Sequence, residues 1–226
     1  MKPGKFLIFD AGPIISLTMN GMLDVLERLR LRFHGEFIIT PQVRKEVVEK
    51  PLMIKKYELE ALKVQNLIDK NVLTISSKFV SNNVLTKKTH EFMKKANSIF
   101  QADRQNIGII QEGEASCLAF SELCKCENVI VADERTIRLL AESPENLGHL
   151  MEKKLHTKIN ADMKKINEFK NFRFIRSSEL LYFAYKNNFL LLKKSKVLLD
   201  AVLYAVKFAG TSISSKEIAE MKEMAG

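Results

Sequence analysis

The chain has 226 residues, with 36 Lys and Arg against 27 Asp and Glu, a formal net charge of +9. Hydrophobic residues make up 46% and charged residues 28%, and nine Gly and five Pro exclude a collagenous or low-complexity chain. The surplus of positive charge favours anionic partners, nucleic acid above all.

Short apolar runs alternate with helical stretches along the chain. Lys5–Phe9 (KFLIF) reads as the first strand and stops at Asp10. Residues 14–31 hold two short helices hinged at Asn20-Gly21. Residues 36–39 form the second strand, closed by Thr40-Pro41, where Thr caps a helix and Pro takes its first position. Helical spacing continues over residues 52–70, and residues 72–75 form a third strand. Residues 76–108 are polar and Lys-rich, an insertion that is partly helical. Helices at 113–126 and 134–142 flank a fourth strand at 128–132, which stops at Asp133. Ser143-Pro144 repeats the cap-and-Pro signal and predicts a helix to about residue 168. Residues 172–175 give a fifth strand, and residues 177–226 read as two or three helices. Within these, residues 197–208 are apolar nearly all round and are expected to be buried. Strands without polar alternation, separated by helices, predict an α/β sandwich with a mostly parallel central sheet.

In such a sheet ligands bind beyond the carboxyl ends of the strands. Asp10 and Asp133 each end a strand, so both reach one rim if those strands are neighbours. Glu46 lies beside Val43 and Val47 on the helix opened by Thr40-Pro41 and leans toward the packed face. Glu114 opens a small-residue helix at Gly113-Glu114-Ala115-Ser116. Each acid also has a plain structural reading: the two Asp as helix caps, Glu114 as a first-turn acid, Glu46 as a solvated side chain. Converging carboxylates stay ionised only beside a cation. Oxygen ligands of this kind suit Mg²⁺ or Mn²⁺, which neutralise phosphate oxygens and activate water. An acidic metal pocket in a basic protein points to a nuclease.

Four motifs, in this order, resemble those of the PIN-domain nucleases, including VapC-type toxins and related archaeal proteins. They are Phe6-Leu7-Ile8-Phe9-Asp10, Ile38-Ile39-Thr40-Pro41 followed by Glu46, Gly113-Glu114-Ala115-Ser116, and Val129-Ile130-Val131-Ala132-Asp133. The resemblance covers roughly residues 1–176, with the insertion at about 76–108 and a C-terminal helical extension at 177–226. It implies a three-layer α/β/α fold and metal-dependent hydrolysis of RNA. It also implies that Asp10, Glu46, Glu114 and Asp133 form the catalytic quartet and hold Mg²⁺ or Mn²⁺, directly or through water. An antitoxin-like protein partner is implied for a toxin, and the 197–208 helix offers a homodimer interface as an alternative to packing in cis. Two positions depart from the family: Ala11-Gly12 replaces the usual hydroxyl after the first Asp, leaving Ser16 as the nearest, and Glu134 follows Asp133 where a second Asp is common.

Arg135 and Arg138 follow Asp133 and are placed to contact phosphate or to pair with Glu134 or Glu142. Lys87, Lys88, Lys94 and Lys95 form a basic cluster, either a solvated face or a grip on RNA. Residues 1–150 carry 21 basic and 19 acidic side chains, residues 151–226 carry 15 and 8, so most of the surplus lies late in the chain. His149 and His156 are spaced too widely for a helical metal pair. Asp200 is expected to cap or to pair with a Lys. Cys117, Cys124 and Cys126 make no disulfide framework and no zinc site, and fit a reducing cytoplasm. The apolar N-terminal stretch is too short for a signal peptide, and no apolar run reaches the roughly 18 residues of a membrane span. The leading expectation is an endoribonuclease. The alternatives are an RNA- or protein-binding module of the same fold without catalysis, and a small-molecule phosphohydrolase.

Overall fold

The structure is a computed structural model and describes residues 4–225. The chain runs β1 (Lys5–Phe9), α1 (Ala11–Met19), α2 (Asp24–Arg32), β2 (Gly35–Ile39) and α3 (Pro41–Arg44). A π-helical turn at Lys45–Glu49 joins α3 to α4 (Lys50–Leu52), and α5 (Glu58–Asp69) and β3 (Thr74–Ile75) follow. Next come α6 (Asn82–Ala96), β4 (Phe100–Ala102), β5 (Gln105–Asn106), α7 (Glu112–Leu123) and β6 (Asn128–Val131). The remainder is α8 (Arg135–Glu142), α9 (Pro144–Leu155), β7 (Asn160–Ala161), α10 (Met163–Ile166), β8 (Phe174–Ile175), α11 (Ser177–Lys186), α12 (Lys196–Phe208) and α13 (Ser215–Met224).

The fold is α/β, with a five-stranded sheet in the order β3-β2-β1-β6-β8 and every pairing parallel. All five strands expected from the sequence are present in it. Consecutive residues Phe37, Ile38 and Ile39 are fully buried, as are Ile8 and Phe9, so both faces of the sheet are covered, as the lack of alternation requires. Helices cover the sheet: α2 packs on β2 and on α11, and α7 packs on β1 and β6. The chain leaves β1 toward β2 and β3 and later returns to the other side of β1 at β6. The β1/β6 boundary is therefore the topological switch point.

The partly helical character expected of residues 76–108 is present, and three expectations need correction. The 76–108 segment carries α6, which buries Leu85, Thr89, Phe92 and Ala96 and packs closely against α7, so it belongs to a helical layer. Its end, with β4 and β5, forms a hairpin that pairs with β7 in a small antiparallel sheet. Asp103 and Arg104 both take positive φ at its turn, the geometry a two-residue hairpin demands. The helix begun at Ser143-Pro144 ends at Leu155, because His156 adopts a left-handed conformation (φ 52°). The Ser143 side chain makes no capping bond. The helical spacing of 52–70 is broken over residues 53–57. Finally, α12 buries only one face: Leu198, Leu199, Val202, Leu203 and Val206 are inside, while Val197 is 78% and Phe208 81% exposed. Among the described residues no helix is long and apolar enough to cross a membrane.

Candidate active site

Strand register places the acids. Phe9 lies opposite Val131 in the β1–β6 pair, and the Asp10 N–H continues the ladder to the Val131 carbonyl at 3.0 Å. Asp10 and Asp133 therefore leave the sheet side by side at its carboxyl edge. Gly12 lies between them: a Cβ there would stand 3.8 Å from both Asp10 Oδ2 and Asp133 Cβ. On the other side of β1, Thr40 accepts a bond from the Val43 N–H and starts α3 as expected. The Thr40 hydroxyl also meets Ser116 Oγ at 2.6 Å, and Ser116 donates to the Gly113 carbonyl. This buried hydroxyl bridge ties the helix that carries Glu46 to the helix that carries Glu114.

Glu46 sits in the π-helical turn. Pro51 follows shortly after and lacks the N–H that an α-helix would direct to Val47, which accounts for the wider turn before it. The Glu46 carboxylate packs on Gly113 so closely that a Cβ at that position would stand 2.9 Å from Oε1. Gly113 is thus required by close approach and not by its backbone angles. A cleft of about 750 Å³ at the carboxyl edge is lined by Asp10, Glu46, Glu114, Asp133, Glu134 and Lys154, with Gly108–Gln111 and Ala209-Gly210 as its other walls. All four expected acids share this one cavity.

Their surroundings differ. Asp10 is buried at the N-cap position of α1, yet its side chain makes no capping bond. Burial pushes its carboxyl up to about 6, against the pull of the Ala11 and Gly12 N–H groups and with added repulsion from Glu46 and Asp133. Glu114 accepts a bond from the Gln111 N–H at 2.8 Å through Oε2, which realises the first-turn reading with one oxygen only. Its Oε1 is buried without a partner. Burial pushes Glu114 up to about 8, with Asp10, Glu134 and Glu46 adding repulsion. Glu46 is half-buried; burial raises it, Lys50 lowers it and Glu112 raises it again.

Asp133 is the satisfied member of the set. Val131 lies opposite Ile175 in the β6–β8 pair, so the same register brings Ser177 level with Asp133. Asp133 Oδ1 accepts from the Ser177 N–H at 2.8 Å, and Oδ2 accepts from Ser177 Oγ and Thr211 Oγ1, each at 2.9 Å. Burial still raises its carboxyl, and these donors pull it back part of the way. Gly210, at φ 115°, takes a backbone conformation that L residues avoid and turns the chain so that Thr211 faces the carboxylate. Behind the clamp, buried Arg176 donates to Glu179, to Glu217 at 2.7 Å and to the Ser212 carbonyl at 2.9 Å. The C-terminal helices are therefore strapped to the acidic edge. Sequence reasoning missed Ser177, Thr211, Arg176 and Lys154; the one readable signal was Gly210 between two helical patterns.

The expected nucleic-acid contacts are dispersed. Arg138 donates to Ser212 Oγ at 3.3 Å and packs into the tail, while Arg135 is exposed beside the site. Lys87, Lys88, Lys94 and Lys95 ride on α6, and none lines the cleft. Lys88 is paired with Glu91 and Glu122, and Lys95 with Glu91 and Glu168. Asp200 pairs with Lys222, and His149 with Glu152.

The arrangement is suited to a hydrated cation. Buried carboxylates with raised pKa values, one of them with an unpartnered oxygen, are stabilised when positive charge enters. Among the described residues no three Asp, Glu, His or Cys side chains are drawn in closely enough to grip one ion directly. Carboxylate oxygens are donors of the kind that suit Mg²⁺ or Mn²⁺. No protein-family model, curated protein or solved structure matches the chain.

Proposed function

We propose that the protein is a metal-dependent endoribonuclease with a PIN-like three-layer fold. The observation that carries this reading is the convergence of Asp10, Glu46, Glu114 and Asp133 on one cleft at the switch point of a parallel sheet, with Glu114 Oε1 left buried and unpartnered. Asp10, Glu46 and Glu114 would hold Mg²⁺ or Mn²⁺. When bound, that ion supplies the charge that stabilises phosphate oxygens and makes water more acidic. The chain's own residues do the rest. Asp133, fixed by Ser177 and Thr211, keeps negative charge at the rim. Lys154, the cationic side chain among the described residues lining the cleft, binds a phosphate of the RNA chain. The missing side chain at Gly12 leaves the cleft open between Asp10 and Asp133, and Gly113 lets the Glu46 carboxylate reach the site. In-line attack by water on the phosphorus then displaces one ester oxygen and cleaves the strand.

The test is cleavage of single-stranded RNA with Mg²⁺ or Mn²⁺, in wild type and in Asp10→Asn. Cleavage that the substitution leaves unchanged would remove Asp10 from the mechanism. Tight RNA binding without cleavage by wild type would favour the binding-module reading, which draws on the missing hydroxyl at Ala11-Gly12.

A further inference from the structure

At the opposite end of α7, away from the acidic cleft, two thiols meet. Cys124 is the C-cap of α7, Cys126 precedes β6, and Lys125 between them takes a left-handed conformation (φ 47°) that is unusual for a residue with a side chain. That turn folds the backbone so that Cys126 Sγ lies 3.2 Å from Cys124 Sγ, inside the contact distance of two sulfur atoms. Both residues are only half-buried. Cys126 borders a polar cavity of about 460 Å³ lined also by Glu122, Asn128, Glu168 and Arg173, wide enough to admit a small reagent.

The contact has a direction. Cys126 donates its S–H to Cys124 Sγ, and Asn128 Nδ2 donates to the same sulfur at 3.3 Å. Asn128 is held for this by its bonds to Ser121 and to the Cys126 carbonyl. Cys124 in turn donates its S–H to the Ser121 carbonyl at 3.3 Å. Burial and the Cys124 neighbour push the Cys126 thiol up to about 12. Cys117, the third cysteine, is buried beneath the acidic cleft and takes no part.

We propose that Cys124 and Cys126 form a redox-active dithiol that small-molecule disulfides oxidise to an intramolecular disulfide. One of the two thiols, as the thiolate, attacks one sulfur of the reagent RSSR, forming a mixed disulfide and expelling RS⁻, which takes a proton. The other thiol, 3.2 Å away and deprotonated in turn, attacks the protein sulfur of that mixed disulfide, forms the Cys124–Cys126 bond and expels the second thiol. Two protein thiols and one RSSR thus become one protein disulfide and two RSH, with the reagent reduced.

The experiment treats the full chain with excess oxidised glutathione, quenches with an alkylating maleimide, unfolds the protein and weighs it. Wild type is expected to lose two hydrogens and two alkylation sites, both mapped to the peptide holding residues 124–126. Cys124→Ser and Cys126→Ser each lack the partner thiol, so each should stop at the mixed disulfide that wild type resolves. A wild-type mass that does not change while a reference dithiol is fully oxidised would overturn the proposal. So would a mixed disulfide that persists in wild type. Circular dichroism confirms that each variant is folded, and the readout is independent of any nuclease activity.

Discussion

The two walls of the acidic cleft treat their carboxylates in opposite ways. On the wall built by β6, α11 and the segment after α12, Asp133 receives three protein hydrogen bonds, and buried Arg176 braces the donors. On the wall built by α1, the π-helical turn and the start of α7, Asp10, Glu46 and Glu114 receive few, and one Glu114 oxygen receives none. Both walls bury charge, but only the first supplies the partners that burial requires. The difference assigns roles. Asp133 fastens the C-terminal helices to the sheet edge, and the under-satisfied wall is where an external cation relieves the stored repulsion.

The largest effect expected from this contrast is on activity. Asp10→Asn should lower RNA cleavage at least about 100-fold, because it removes charge from the wall that holds the ion. Its thermal stability should hold or rise, since the buried charge it deletes is poorly partnered. A loss of cleavage accompanied by unfolding would place Asp10 with Asp133 as a structural acid.

The second test sets Asp133 against Glu114 in metal-free protein. Asp133→Asn turns an acceptor toward Ser177 and Thr211 into an NH₂ that faces their donors. With about 1.5–3 kcal/mol for a charge-assisted buried bond, the melting temperature should fall by roughly 3–10 °C. Glu114→Gln keeps an oxygen for the Gln111 N–H and deletes a charge that nothing pairs. It should raise the melting temperature by about 2–4 °C at pH 8.5 and change it little at pH 5. If both variants destabilise equally, the two walls do not differ.

The sign of the pH dependence follows from the raised carboxyls. Asp10 rises to about 6 and Glu114 to about 8 in the folded chain, both above their ordinary values. The folded state therefore binds more protons than the unfolded one between those limits. The stabilisation is fully present below pH 4 and is lost as pH rises through 6 and then 8. Chemical denaturation of metal-free wild type across this window should show stability falling toward high pH, with Mg²⁺ restoring it. In Glu114→Gln the loss should end near pH 6.

Much of the unsatisfied wall was legible in the sequence, and little of the satisfied one. Asp10, Glu46, Glu114 and Asp133 stand in short contiguous motifs at strand ends and helix starts, where apolar runs and the Thr40-Pro41 cap give their positions. The clamp on Asp133 comes from Ser177 and Thr211, which lie 44 and 78 residues further along the chain. Single hydroxyls carry no periodic signal, and only the β6–β8 register brings Ser177 level with the acid. The small sheet of β4, β5 and β7 escaped for a related reason, since strands of two or three largely exposed residues leave no hydrophobic pattern. The one-sided burial of α12 was missed because an all-apolar helix does not reveal which of its faces has a neighbour.

The smallest expected effect concerns the basic surface and separates charge in the chain from charge at the site. Lys88 and Lys95 are held by Glu91, Glu122 and Glu168, and Lys88 also lies over the Phe92 ring. Their positive charge is already matched, so it adds little to the field that RNA meets. Lys154 lines the acidic cleft itself. Lys154→Ala should weaken RNA binding and lower the salt dependence of that binding by close to one phosphate contact. The double variant Lys88→Ala, Lys95→Ala should change RNA binding by less than about twofold and cost α6 only the few tenths of a kcal/mol typical of exposed ion pairs. Filter binding across a salt series measures both. A larger loss in the α6 pair than in Lys154→Ala would move the RNA path off the cleft and onto the α6 face.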